Sequence, residues 1–134
     1  MKSSNQSMLK FENVAFFDVD ETLVLWRTVH EPDTNFVCPH TGVIESGTAH
    51  KEHVERIKQH KKLGHTVIVW SAGGMEWASR AVEALGVKEY VDICMEKPIQ
   101  YYDDITADEF MGSRTYVGSK KYDKEIVTDY LDRY

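Results

Sequence analysis

Val14-Ala15-Phe16-Phe17-Asp18-Val19-Asp20-Glu21-Thr22-Leu23 is the stretch that decides the fold. Its apolar opening followed by a polar turn reads as a strand, 14–18, of a covered sheet. Ligands of open α/β sheets bind outside the carboxyl ends of the strands, and Asp18 and Asp20 sit at such an end. They are two residues apart, so continued strand geometry would turn both carboxylates to the same side. Two like charges held that close stay ionised together only when a cation or strong donors lie between them. Mg²⁺, which takes one or two carboxylates plus phosphate oxygens, is the economical partner.

Further along, the pattern repeats. A helix is expected over 48–63, with Val54, Ile57 and Leu63 inward and Gly64 at its end. Thr66-Val67-Ile68-Val69-Trp70 follows, apolar enough for a strand buried on both faces. Ser71-Ala72-Gly73-Gly74 then turns into a second helix in which Met75, Ala78, Val82 and Leu85 form the inner stripe. Trp77, one position off that stripe, is expected at the rim of the strand-end site. Shorter strands are expected at 91–94, at 99–102 (ending in the second acidic pair, Asp103-Asp104) and at 115–118, with a closing amphipathic helix over 123–134. Strands alternating with helices predict an α/β fold around a mainly parallel sheet with right-handed crossovers. Residues 23–47 hold Pro32, Pro39 and Gly42 and predict a flap-sized hairpin or irregular excursion after the first strand.

The chain has 134 residues, room for a single domain. Its net charge of -6 supplies no electrostatic footprint for nucleic acid or an anionic membrane. Lys51, Arg56, Lys58, Lys61 and Lys62 spread over more than one helix face and read as a solvated surface. The first ten residues are polar and read as a flexible end, neither a signal peptide nor a span, so the expected location is cytoplasmic. Cys38 and Cys94 make no disulfide framework, and Cys94 reads as a buried thiol. A zinc site can be drawn through Cys38, His40, His50 and His53, but the spacing matches no standard site and scattered surface histidines are the preferred reading.

Three polar groups thus follow three strands: Asp18 with Asp20, Ser71, and Asp103 with Asp104. Parallel strands put their carboxyl ends on one side, where these groups can converge. Phe16-Phe17-Asp18-Val19-Asp20-Glu21-Thr22-Leu23 resembles the first motif of the haloacid dehalogenase (HAD) superfamily. Ser71, Lys97 and Asp103-Asp104 stand where its second, third and fourth motifs would. The first motif is specific and the acidic pair moderately so, whereas Ser71 and Lys97 gain weight only from their order in the chain. Taken singly, Ser71 reads as a helix cap, Lys97 as a loop lysine and Asp103-Asp104 as the cap of a short helix near 107–110.

The resemblance implies a Rossmann-like three-layer fold and a phosphatase of the small type without a cap domain. It implies Asp18 as nucleophile forming an aspartyl-phosphate, and Asp20 as the acid that protonates the leaving oxygen and then activates water. Mg²⁺ is expected on Asp18, the main-chain carbonyl of Asp20 and an acid of the fourth motif, Asp103 with Asp104 in support. Thr22, Ser71, Ala72 and Lys97 are the expected phosphate contacts, the amides after Ser71 forming an anion site at a helix start. Trp26, Arg27, His30, Asn35 and His40 of the flap are candidates for substrate contact. A phosphorylated small metabolite, a sugar phosphate or nucleotide, is the leading substrate class. A polynucleotide 3′-phosphate or a phosphoprotein follows, and a non-catalytic phosphate- or metal-binding module is the reading of another class. A flap that closes over a neighbour's site would make the protein a homo-oligomer.

Overall fold

A computed structural model describes residues 13–28 and 30–111. The described residues are mixed α/β, with one small parallel sheet and one small antiparallel sheet among them. The strand expected at 115–118 and the helix expected over 123–134 lie outside the described residues, as do the first ten.

Strand β1 (Val14–Asp18) pairs in parallel with β5 (Thr66–Ser71), and β5 pairs in parallel with β6 (Ile93–Glu96). β5 is therefore central, which is why its Val67, Ile68 and Val69 are all buried. Among the described residues β1 has one pairing neighbour, and Val14 is exposed rather than covered. Between β1 and the first helix the chain forms β2 (Val24–Leu25), β3 (Thr34–Val37) and β4 (Ile44–Ala49), an antiparallel sheet in the order β2-β4-β3. The expected excursion is thus a hairpin whose return strand also pairs with β2.

Helix α1 (Lys51–Lys62) starts later than expected, because Thr48 and Ala49 pair with Leu25 and Val24 in the sheet. His50 caps it: its Nδ1 accepts from the His53 amide at 3.1 Å. Ile57 is buried as expected, but Leu63 is exposed, since the chain leaves the helical path there before the left-handed turn at Gly64, φ 84°. Along the solvent face Arg56 pairs with Glu52, Lys58 with Glu55 and Lys61 with Asp92, so three of the five residues read as a basic surface are answered by acids.

Helix α2 (Met75–Ala84) packs on β5, β6 and β3 through Ala78, Ala81 and Val82. Met75, expected in the core, sits on the first turn and is exposed. The expected strand at 91–94 is shifted to 93–96. Residues 88–90 form a 3-10 turn, and the Asp92 carboxylate accepts from the Val67 amide at 2.8 Å and from Lys61 at 2.6 Å, ending the turn region before pairing starts.

The strand expected at 99–102 does not form. Pro98 cannot donate to a ladder, and Ile99 and Tyr102 are 97% and 92% exposed. Local bonds shape this segment instead. The Tyr101 hydroxyl accepts from the Ala107 amide, and Thr106 with Glu109 makes a capping box for the short helix α3 (Ala107–Phe110). Leu23, Val24, Phe36, Ile57, Val67, Val69 and Val87 join the two sheets and both longer helices in one apolar core. No helix among the described residues is long and apolar enough to cross a membrane.

Candidate active site

The register of the parallel sheet positions the site. Asp18 lies level with Trp70 of β5, which lies level with Met95 of β6; Ser71 lies level with Glu96, and Lys97 follows. Neighbouring strands are about 4.8 Å apart, so Asp18, Ser71 and Lys97 form a stepped row across three strand ends. Lys97 closes the row: its Nζ is 4.0 Å from Asp18 Oδ1 and 6.0 Å from the centre of the Trp70 ring. The Lys97 amide donates to the Ser71 carbonyl at 3.0 Å and extends the ladder to that lysine.

Asp18 is half-buried. Burial is the largest influence on its carboxyl and pushes it above the usual carboxylate range; Lys97 and the Val19 amide pull it down, and the charge of Asp20 pushes it up further. Desolvation therefore outweighs the lysine at 4.0 Å. The chain then turns sharply. The Val19 carbonyl accepts from the amides of Thr22, Leu23 and Val24 at 2.9–3.1 Å, while Glu21 takes a left-handed φ of 62°. Such a φ is uncommon for a residue with a side chain and here persists because the surrounding bonds over-determine it. The Glu21 carboxylate accepts from the Trp26 amide at 3.1 Å and lies 3.7 Å from Arg27 Nε.

Asp20 stands exposed at the top of that turn, and two indoles reach it. Trp26 Nε1 donates to Oδ1 at 3.0 Å and Trp77 Nε1 donates to Oδ2 at 3.2 Å. The two rings stack at 6.4 Å between centres, and Phe36 meets both edge-on at 5.7 and 5.8 Å. Trp77 thus stands against Asp20, one position off the inner stripe of its helix. Its bond to Asp20 spans 57 residues, and no spacing rule along the chain would have found it.

Ser71 is fully buried. Its Oγ accepts from the Gly73 amide at 2.9 Å and its carbonyl from the Gly74 amide at 3.1 Å. The Met75 amide at the start of α2 donates to Glu96 Oε2 at 3.0 Å. Three of the amides that sequence reasoning reserved for a phosphate are therefore committed within the protein, and the helix start is met by the chain's own carboxylate. Glu96 was missed; the one available signal was its position beside Lys97 at a strand end. Ala72 is exposed on this turn.

Thr22 sits in the turn, and its carbonyl is bonded at 2.7 Å to Nδ1 of the buried His53. His53 stacks on His50 at 3.8 Å, so these two are buried and not surface histidines; burial is also the main cause that pushes the His53 imidazole below its usual range. His50 and His53 serve the helix cap and the turn, while Cys38 and His40 stand on the hairpin tip. Among the described residues no three His, Cys, Asp or Glu side chains gather as a metal cluster. In the flap, Arg27, His30 and His40 are exposed, and Asn35 accepts from Ser46 across the hairpin at 2.6 Å.

Asp103 and Asp104 are exposed and do not join Asp18. Asp103 Oδ1 accepts from the amides of Asp104 and Ile105 in its own turn, and the helix cap is Thr106, not this pair. The donor chemistry at Asp18 still suits a hard cation: a desolvated carboxylate with a second carboxylate nearby. Mg²⁺ needs only one or two carboxylates when phosphate oxygens and water complete its shell.

No protein-family model matches this chain, and no curated protein matches it.

Proposed function

We propose that the chain is a Mg²⁺-dependent phosphomonoester hydrolase working through an aspartyl-phosphate on Asp18, with a small phosphorylated metabolite as substrate. One observation carries most of this reading: Asp18 ends a parallel strand with Lys97 at 4.0 Å and a second, anchored carboxylate, Asp20, two residues on. The likeness of the 16–23 stretch to the first HAD motif supports it, as does the α/β architecture.

In this mechanism an Asp18 oxygen attacks phosphorus and the ester P–O bond breaks. Asp20 hands its proton to the departing oxygen, then takes one from the water that hydrolyses the acyl phosphate. Lys97 offsets the negative charge gathered at Asp18 and the phosphoryl oxygens. Ala72 on the exposed turn is a further candidate for phosphate contact, while Ser71 acts from beneath by holding that turn. Asp18 and the Asp20 carbonyl would hold Mg²⁺, with phosphate oxygens and water completing its shell in place of Asp103 and Asp104, which do not join Asp18. The ion would supply neutralisation of the anionic phosphate facing an anionic nucleophile.

The test is phosphate release from a panel of sugar phosphates, nucleotides, phosphopeptides and 3′-phosphorylated oligonucleotides, with and without Mg²⁺. Mg²⁺-dependent release from one class, abolished in Asp18→Asn and in Asp20→Asn, is the expected result. Unchanged release in Asp18→Asn, or none from any class by folded wild type, would overturn the reading.

A further inference from the structure

The two indole contacts to Asp20 come from parts of the chain that have no local reason to meet. Trp26 follows β2 at the root of the flap, and Trp77 lies in the first turns of α2. Both rings carry a single N–H donor, and the two N–H groups address opposite oxygens of one exposed carboxylate. An aromatic cluster needs no such arrangement; rings pack equally well with their N–H groups turned to water.

Neighbouring residues hold each ring in that pose. Trp26 is fixed through its amide by Glu21 and through its ring by Phe36 and Trp77. Gly47 lies beneath it: a Cβ there would come within 2.9 Å of Trp26 Cζ3, so only glycine leaves the ring its place. Trp77 is held by the same stack and by Phe36 of β3. An exposed aspartate ordinarily turns about two side-chain bonds. Here each oxygen is tied to a ring that is itself packed, so the carboxylate keeps one direction.

From this geometry we infer that Trp26 and Trp77 are positioning residues that clamp Asp20, aiming its carboxyl at the leaving oxygen and joining the flap to α2 through it. The inference rests on the phosphatase reading, in which Asp20 is the general acid. A group that only orients the acid matters in proportion to how much the leaving group needs a proton. An alkyl phosphate, whose alkoxide leaves poorly, depends on the acid; 2,4-dinitrophenyl phosphate, whose phenolate leaves unaided, does not. General acid–base help is worth about 10²–10⁴-fold.

Two measurements test this on the full chain. The first needs no activity: the ¹⁵N-indole spectrum carries three tryptophan signals, Trp26, Trp70 and Trp77, of which Trp70 is the internal control. Asp20→Asn should move the Trp26 and Trp77 N–H signals and leave that of Trp70 in place. Unmoved Trp26 and Trp77 signals would overturn the clamp. The second compares Trp26→Phe and Trp77→Phe, which keep a ring and delete the donor, with Trp70→Phe. Each of the first two should lower kcat/KM, which reports the step that forms the aspartyl-phosphate and expels the leaving group, about tenfold or more on the alkyl ester, and leave it within about twofold of wild type on the dinitrophenyl ester. Equal losses on both esters would mean a merely structural role and would sink the positioning argument. Intact indole coupling without any turnover refutes the phosphatase reading and the positioning role with it; turnover without coupling refutes the clamp alone.

Discussion

Replacing Gly47 by alanine tests the packing that supports the site. The added methyl would lie 2.8 Å from Val24 Cγ1 and 2.9 and 3.1 Å from two Trp26 ring carbons. Relaxed carbon contacts start near ~3.5 Å, so Val24 and the indole must each withdraw by about 0.6 Å. Val24 is fully buried and cannot move away freely. Overpacking of this kind costs about 1–3 kcal/mol. An indole displaced that far from its 3.0 Å bond to Asp20 leaves good hydrogen-bonding range, which costs about another 0.5–1 kcal/mol. Alanine returns about 0.5–1 kcal/mol because glycine loses more backbone freedom in a strand. The net expectation is a loss of about 1–3 kcal/mol, read as a lower urea midpoint with unchanged slope. In a Trp26→Leu background the clash with the ring is gone, so the same substitution should cost at least about 1 kcal/mol less. A Gly47→Ala protein within about 0.5 kcal/mol of wild type, or an identical cost in both backgrounds, would refute the reasoning.

Asp18→Asn should stabilise the metal-free protein at neutral pH. Because burial raises the Asp18 carboxyl, the folded state binds the proton more tightly than the unfolded chain, and stability falls as pH rises from the unfolded value of about 3.9 through the folded one. The advantage of asparagine should vanish in acid, and Mg²⁺ should stabilise wild type but not the variant; thermal melts with EDTA or Mg²⁺ at pH 3.5 and 7.5 decide it, and a less stable variant in EDTA at pH 7.5 would contradict it. Asp92 behaves oppositely: its bond from Lys61 and then that from the Val67 amide hold its carboxyl low, so its contribution is present above about pH 3.9 and is lost as pH falls through the lower folded value. Asp92→Asn should therefore lower the urea midpoint at pH 7 and converge with wild type in acid, and a pH-independent difference would show that the charge is not the source.

What could be read along the chain follows from how local each signal was. β1, the central β5 and both longer helices rest on runs of neighbouring residues, and their periodicity needed no tertiary information. Met75 and Leu63 were assigned to the core because they fit a helical stripe, but each sits at a helix end, where the stripe meets solvent. The strand expected at 99–102 was inferred from apolar residues alone; Pro98 and the local bonds of Asp103 and Thr106 dominate there. Asp18 and Ser71 were legible as ends of strands and Lys97 through the order of motifs in the resemblance, and the parallel register sets the three in a stepped row, whereas Asp103 and Asp104, read as a third strand end, do not join them. The bonds from the Gly73 amide to the Ser71 hydroxyl and from the Met75 amide to the Glu96 carboxylate were not legible, because each depends on a side-chain rotamer. The indole pair on Asp20 is the extreme case, requiring a turn, a hairpin and a helix to meet.

The 19–24 turn and the hairpin tip at 38–43 differ in what they can absorb. In the first, one carbonyl serves three amides and Val19, Leu23 and Val24 have no solvent exposure; an added residue would break the pairing of Asp20 with Val24. At the tip the main-chain bonds run from Cys38 to Val43 and from Gly42 to Cys38, the Thr41 hydroxyl accepts from the Val43 amide, and most side chains stand in solvent. Length and composition there can vary without disturbing the knot below. On the phosphatase reading the turn that carries Asp20 has no slack and the tip has much, so a library built to alter what this protein takes belongs at 38–43 with 19–24 left untouched.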